Sequence, residues 1–254
     1  MKWLGHLVLA LLLTPLVFTI LTSFTPSRYL ELPRSEWSLQ WYREFFADII
    51  WVQALRNSLA IAAMTAVLSV ITALMTAVAL VRRHFRWKSA WEGALLLPVV
   101  LPGVALAMGM LAVVRMTPLW GTQLSLALAH SVLAMPVSYI VIRASLRQVD
   151  PNLEAAARGL GAGPWQVFQF VTLPLIVPAV LAATLFALVI SLNEITLSLF
   201  LATRYTETLP RVIWPNLRFA ITPLTAAASV ILLLLTLPAL VAAGWWLRPR
   251  RGNR

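Results

Sequence analysis

Residues 150–174 read DPNLEAAARGLGAGPWQVFQFVTLP, a polar, glycine-broken stretch between an apolar run that ends near Ile142 and another that begins at Leu175. Asp150 is suited to cap the first free amides of a short helix, and Pro151 to occupy its first turn. Gly159, Gly161 and Gly163 offer places to end it, and a second short helix can begin at Pro164. At helical spacing Leu153, Ala157 and Leu160 share one face of the first helix, and Trp165, Phe168 and Val171 one face of the second. The expectation is a bent helical pair, packed face to face beside a membrane.

This segment is similar to the cytoplasmic EAA loop of permease subunits of ATP-binding-cassette (ABC) importers. The loop pattern is Glu-Ala-Ala, three residues, Gly, nine residues, then Ile-x-Leu-Pro. Anchored on Gly161, the spacing lands on Val171, Leu173 and Pro174, with Ala156 and Ala157 as the alanine pair. Ala155 stands where the pattern has glutamate, and the nearby acid, Glu154, is one residue early, a rotation of about 100° on a helix. The resemblance implies contact with a cytoplasmic ATPase through Asp150, Glu154, Ala156, Ala157, Arg158, Gly161, Leu173 and Pro174.

The surrounding sequence fits a membrane setting. It is 60% hydrophobic and 11% charged over 254 residues, too apolar for one soluble core. Apolar runs long enough to cross a bilayer lie near residues 4–24, 57–81, 93–114, 123–142, 175–200 and 223–247, giving six spans. The first follows Lys2 without a short core and small-residue cleavage site, so it reads as a retained span. The expectation is an all-α membrane protein, a single permease domain over residues 1–254.

An even number of spans puts both termini on one side. That side holds 12 of the 20 basic residues: Lys2; Arg82, Arg83, Arg86 and Lys88; Arg143, Arg147 and Arg158; and Arg248, Arg250, Arg251 and Arg254. Positive-inside bias makes it cytoplasmic, in agreement with the side assigned to residues 150–174 by resemblance. The formal net charge of +11 sits at span ends instead of on one soluble face, which points to lipid headgroups and away from nucleic acid. Absence of cysteine excludes disulfides and thiolate metal sites.

On the opposite side, Trp41, Tyr42, Phe45, Phe46 and Ile49 follow helical spacing from Ser38, as in a helix lying in the outer interface. In the second span Ala62, Ala66, Ser69, Ala73 and Ala77 recur at three- or four-residue intervals that permit close helix approach. Pro98, Pro102, Pro136, Pro178 and Pro238 favour bends.

Glu194 lies within the fifth apolar run, beside Asn193 and Ser191. A carboxylate at the bilayer centre costs about 3 kcal/mol on insertion scales, so such a residue faces a pathway or a partner more often than lipid. The stretch resembles the Ser-Leu-Asp-Glu-Phe segment of polyamine-type permeases, with Asn193 in place of the aspartate, and this implies a translocation-pathway role for Ser191, Asn193 and Glu194. His130 and His6 lack spaced metal-ligand companions, and a hydrogen-bonded packing role suits His130 better than a metal site. Thr208, Leu209 and Pro210, with Thr222 and Pro223, read by themselves as turn signals.

Together with Ser38 to Tyr42, Asn57 and Ser58, these segments identify the chain as resembling a type I binding-protein-dependent ABC importer permease of the polyamine branch. The resemblance implies a second permease subunit, cytoplasmic ATP-binding subunits, an extracytoplasmic solute-binding protein, membrane lipid around them, and a multi-pass place in the bacterial inner membrane with alternating access. No cofactor and no catalytic residue is expected. Lys2 follows methionine and Lys88 follows tryptophan, so neither forms the Gly-Lys of a P-loop. Two rival readings are an ion-coupled secondary transporter using Glu194 and, more remotely, an intramembrane enzyme pairing Glu194 with His130.

Overall fold

The computed structural model describes residues 2–33, 36–83, 85–219 and 221–247. Of the basic residues used for orientation, Arg248, Arg250, Arg251 and Arg254 lie outside them. The described residues are overwhelmingly helical: α1 (Lys2–Thr22), α2 (Gln40–Ala47), α3 (Ile49–Arg82), α4 (Lys88–Val100), α5 (Gly103–Arg115), α6 (Gln123–Leu146), α7 (Pro151–Gly159), α8 (Pro164–Val167), a π-helical turn (Phe168–Thr172), α9 (Leu173–Asn193), α10 (Thr196–Leu201), α11 (Leu209–Phe219) and α12 (Pro223–Trp246).

At the centre α3, α6 and α9 pack together through small residues. Ala62, Ala66, Ser69, Ala73 and Ala77 on α3 are all buried, as are Ala134 and Ser138 on α6 and Ala183 and Ala187 on α9. The four-residue rhythm of the second apolar run thus becomes the seam of the bundle. Without bulky side chains the backbones approach until Ser138 Oγ donates to the Ala183 carbonyl at 3.5 Å. Outward faces are apolar and exposed, including nearly all of α1, which packs against α12. Such faces suit a lipid or partner-helix environment.

The boundaries differ from the sequence expectation in several places. α3 begins at Ile49 instead of residue 57, capped by Asp48, whose carboxylate accepts the Ile50 N–H at 2.7 Å. Its 34 residues span about 51 Å, longer than a hydrocarbon core of about 30 Å. Ile49 therefore belongs to α3 and not to the outer helix. That outer helix, α2, also buries Trp41 and Phe45 instead of merely lying in the interface; Trp41 Nε1 donates to the Thr25 carbonyl at 2.8 Å, and Phe45 clusters with Trp51, Leu209 and Ile213.

The third apolar run is broken. α4 and α5 meet at Leu101 and Pro102 with a bend of 103°. Pro102 lacks an N–H for the helix ladder and disfavours helical geometry at Leu101, which is extended at ψ 143°. The pair still crosses. Glu92 on α4 holds Arg143 near the end of α6 at 2.6 Å, while Val114 on α5 shares a buried cluster with Leu126 and Ala127 near the start of α6. Those contacts lie about 26 Å apart along α6, so the pair is a sixth, broken span.

The fifth run is displaced. α8, the π-helical turn and α9 continue as one 30-residue helix, Pro164–Asn193, so the second short helix expected at Pro164 is the start of the span. The span ends at Asn193, well short of residue 200, and α10 follows as a separate helix. α11 was legible only as a turn at Thr208 to Pro210, although Leu209, Val212 and Ile213 carry the spacing of a one-sided helix.

Candidate functional site

The first candidate is residues 150–174. Asp150 Oδ1 accepts the Asn152 N–H at 2.9 Å and Pro151 opens α7, so both local signals act as caps. The helix ends at Gly159 with Leu160 as its cap, and the chain then turns at Gly161, whose φ of +88° suits glycine. Around it Ala162 N–H reaches the Ala157 carbonyl at 3.1 Å and Gly161 N–H the Arg158 carbonyl at 2.9 Å, the paired bonds of a Schellman ending. Gly163 N–H then donates to Gln166 Oε1 at 2.8 Å, satisfying one backbone donor at the start of α8.

The two apolar faces do not close on each other as expected. Leu160 is 91% exposed and Leu153 49%, while Trp165 and Phe168 stack at 5.5 Å between centroids. What faces inward is Glu154. Its Oε1 accepts from Arg82 Nη2 at 2.8 Å and from Thr172 Oγ1 at 2.8 Å, and its Oε2 lies 3.4 Å from Arg158 Nη2. Glu154 thus ties α7 to the end of α3 and to the π-helical turn. Its carboxylate is engaged within the chain, and Ala155 and Ala156, one and two positions on, turn outward. Ala157 is half-buried, Arg158 is exposed, and Leu173 and Pro174 form the first turn of α9. Pro174 supplies no N–H to the preceding turn, which physically favours the π-helical insertion there.

The second candidate is the break between α9 and α10. Glu194 lies in it with extended backbone; its N–H donates to the Ser191 carbonyl at 3.3 Å, and its Oε1 accepts the Leu197 N–H at 2.9 Å. A carboxylate on the free amides of a helix start is favourable. The break in the third span adjoins this one: a Cβ at Gly103, the first residue of α5, would stand 3.4 Å from Thr196, the first of α10. The break in the third span therefore meets the end of the fifth beside Glu194.

The three residues expected to share a pathway point in different directions. Ser191 is buried in the bundle, with Oγ 2.9 Å from His130 Nδ1 and 3.3 Å from Thr65 Oγ1. Asn193 is exposed, donates to its own helix at Val189, and lines a groove of about 260 Å³ with Leu16, Thr19, Ser229 and Thr236. Glu194 is half-buried at the break. His130 is fully buried, with its second nitrogen 3.3 Å from Ser198 Oγ. Its ring thus engages serines and not the Glu194 carboxylate, which removes the geometric basis for an acid/base pair.

Sequence reasoning missed the part Asn57 plays. Its Oδ1 accepts from Gln53 and Gln123 at 3.0 and 2.8 Å, and its Nδ2 donates to the Tyr205 and Glu207 carbonyls at 3.1 and 2.9 Å. Ser58 Oγ accepts the Leu209 N–H at 2.8 Å. These bonds fasten the loop after α10 to α3, and the Asn-Ser pair at the start of an apolar run was the available signal.

Comparison with known proteins agrees with this architecture. The chain belongs to the family described as binding-protein-dependent transport system inner membrane component, whose profile matches residues 69–251. It is 31% identical over 234 residues to the spermidine/putrescine transport system permease protein PotC of Haemophilus influenzae, covering 92% of this chain and 91% of that one. With the putrescine transport system permease protein PotI of Escherichia coli K12 it shares 30% over 247 residues, covering 94% and 87%. A bacterial alginate ABC transporter, solved in complex with an alginate pentasaccharide-bound periplasmic protein, matches the fold with a TM-score of 0.71 at 17% identity, covering 96% of this chain and 91% of that one. The protein is a membrane permease subunit of an ABC importer, and the two rival readings give way to that assignment.

Proposed function

We propose that this permease carries a small cationic solute of the polyamine class across the bacterial inner membrane, in a complex with a second permease subunit, two cytoplasmic ATPases and an extracytoplasmic binding protein. Both termini and residues 150–174 are cytoplasmic. The polyamine assignment is supported by the relatives named for spermidine and putrescine and by the single negative charge of Glu194 where the broken third span meets the end of the fifth. Glu194 faces the path at the break, and Asn193 offers a polar contact beside it, whereas Ser191 acts from the bundle side.

The observation that carries the coupling assignment is the combination of an outward apolar face with inward anchoring on α7. Leu153 and Leu160 are exposed, next to the small Ala156, while Glu154 fastens the opposite side of the helix to Arg82 and Thr172. An apolar surface on a helix so anchored is what a cleft on an ATPase needs in order to push the membrane bundle. ATP-driven closure moves α7, and the connection through the π-helical turn passes that movement to α9 and its break at Glu194. Two packings separated by a few kcal/mol suffice for docking energy to select between them.

The chain contains no cysteine, so a single cysteine at Ala156 or Leu160 tests the reading directly. Cross-linking from that cysteine to the ATPase in the assembled transporter is the expected result. Labelling of the same cysteine only by reagents confined to the outer face overturns both the coupling role and the orientation.

A further inference from the structure

One imidazole bridges the break between α9 and α10. His130 on α6 is fully buried; its Nδ1 lies 2.9 Å from Ser191 Oγ on α9 and its Nε2 3.3 Å from Ser198 Oγ on α10. Between these serines lie Glu194 and Ile195, the two residues that belong to neither helix.

The bonding pattern gives the ring a direction. Ser198 Oγ–H donates to the Glu194 carbonyl at 3.0 Å, so it accepts from Nε2–H, which leaves Nδ1 an acceptor; the single Ser191 hydroxyl proton has two acceptors in reach, Nδ1 at 2.9 Å and Thr65 Oγ1 at 3.3 Å. The third side chain in the cluster, Thr65, donates to the Ala127 carbonyl at 3.3 Å. All three hydroxyls are neutral, and among the described residues no group of three or more metal-ligating side chains occurs.

The two serines held by His130 are also the residues that hold Glu194. Its N–H goes to the Ser191 carbonyl and its C=O receives the Ser198 hydroxyl. A histidine serving packing alone has no need to engage both limbs of a broken helix around one carboxylate. We propose that His130 is a positioning residue for transport: by holding Ser191 and Ser198 together it fixes the break, aims the Glu194 carboxylate, and thereby sets how well a cationic solute passes. This inference rests on the reading of Glu194 as a pathway residue.

The test uses the assembled transporter in vesicles, with binding protein at saturation and putrescine as the solute. His130→Leu removes both ring bonds, and His130→Gln keeps one donor and one acceptor. A lone cysteine at Ile195 reports the break through its rate of maleimide labelling. The expected result is labelling several-fold faster in His130→Leu than in the parent or His130→Gln. The maximal putrescine uptake rate falls about tenfold in His130→Leu, the scale of one or two lost hydrogen bonds, recovers in part in His130→Gln, and falls no further when His130→Leu is combined with Glu194→Gln. Unchanged labelling in assembled His130→Leu overturns the positioning role. Faster labelling, with uptake lost equally in both Glu194 backgrounds or unaffected in both, overturns the link from the break to the carboxylate. A normal uptake rate in Glu194→Gln alone overturns the pathway reading itself, a result independent of the labelling measurement. If His130→Leu fails to assemble, labelling and uptake of His130→Gln decide: parental labelling with uptake above that of Glu194→Gln supports a hydrogen-bonding role, and several-fold faster labelling or uptake as poor as that of Glu194→Gln overturns it.

Discussion

Arg82 Nη2 lies 2.8 Å from Glu154 Oε1, joining the last residue of α3 to the middle of α7, with the arginine side chain 22% and the glutamate 6% exposed. Because the glutamate end is buried, removing the arginine leaves the carboxylate with only Thr172 and the more distant, exposed Arg158, a larger cost than for a surface pair. Arg82→Ala and Glu154→Ala are each expected to loosen α7 and lower solute imported per ATP hydrolysed. The double variant is expected to be no worse than either single one, with a coupling energy of about 0.5–3 kcal/mol. Additive losses would show that the two residues act separately.

The exposed face of α7 gives a different signature. Leu160 is 91% exposed, so Leu160→Ala removes little packing within the permease and is expected to change its own stability by no more than about 0.5 kcal/mol. ATPase binding is expected to weaken by more than about 1 kcal/mol, the scale of an interface anchor. Thermal unfolding of the isolated permease and titration with the ATPase separate the two effects. Equal losses in both would place Leu160 in the permease core.

Two glycines that bracket the end of α7 separate backbone from packing. A Cβ at either Gly159 or Gly161 meets nothing within 4 Å, but Gly161 has φ +88°. Gly161→Ala is therefore expected to cost about 1–2 kcal/mol through the left-handed backbone alone. Gly159→Ala, inside a helix, is expected to be neutral or to gain up to about 1 kcal/mol. Thermal melts of the two variants, compared with transport coupling, check the ordering.

Much of this architecture was legible because membrane helices announce themselves by length and small-residue rhythm. The alanines at 62, 66, 73 and 77 and the Gly161-to-Pro174 spacing needed no tertiary information. The interruptions were harder to read. Pro102 and Pro98 both promise a bend, but the location and angle of the break depend on where α5 meets α10 at Gly103 and Thr196. Glu194 read as part of a continuous helix because apolar residues continue to 200, and only the tertiary fold reveals that the helix stops at Asn193. Likewise Leu153 and Leu160 carry an apolar periodicity that says they will be covered, without saying that this chain leaves them uncovered. The inward anchoring of Glu154 was not legible, because its partner, Arg82, is 72 residues away.

Asn57 offers a check on the opposite end of the bundle. All of its side-chain bonding capacity is used, toward Gln53, Gln123, Tyr205 and Glu207. Asn57→Ala removes four bonds at once, two of them to the exposed residues Gln53 and Tyr205, and is expected to cost about 1–3 kcal/mol. Asn57→Asp keeps an acceptor but loses both donated bonds, and is expected to free the 202–208 loop to a similar extent. Protease cleavage of that loop in outer-face-accessible vesicles should accelerate in both variants, and an unchanged rate would mean that Ser58 and Leu209 alone hold it.

Glu194 carries the prediction that bears on substrate. Its Oε1 is committed to the Leu197 N–H, and Glu194→Gln keeps that acceptor through the amide oxygen while removing the charge. Structure at the break is therefore expected to survive, and the electrostatic attraction for a cation to be lost. For a polyamine, initial uptake is expected to slow by about tenfold, the effect of one charge-assisted contact of about 1.5 kcal/mol. Glu194→Asp retains the charge on a side chain one methylene shorter and is expected to fall between the two, because it cannot both cap Leu197 and reach the path from the same position. An anionic solute is expected to respond in the opposite sense, since the carboxylate repels it, and a neutral solute to be unaffected, since the charge gives it nothing. Uptake by Glu194→Gln of a charged and an uncharged solute of similar size, measured beside subunit assembly, resolves the role: loss of assembly assigns Glu194 to structure, equal uptake of both solutes removes it from the path, and selective loss of the cation places its charge where the solute passes.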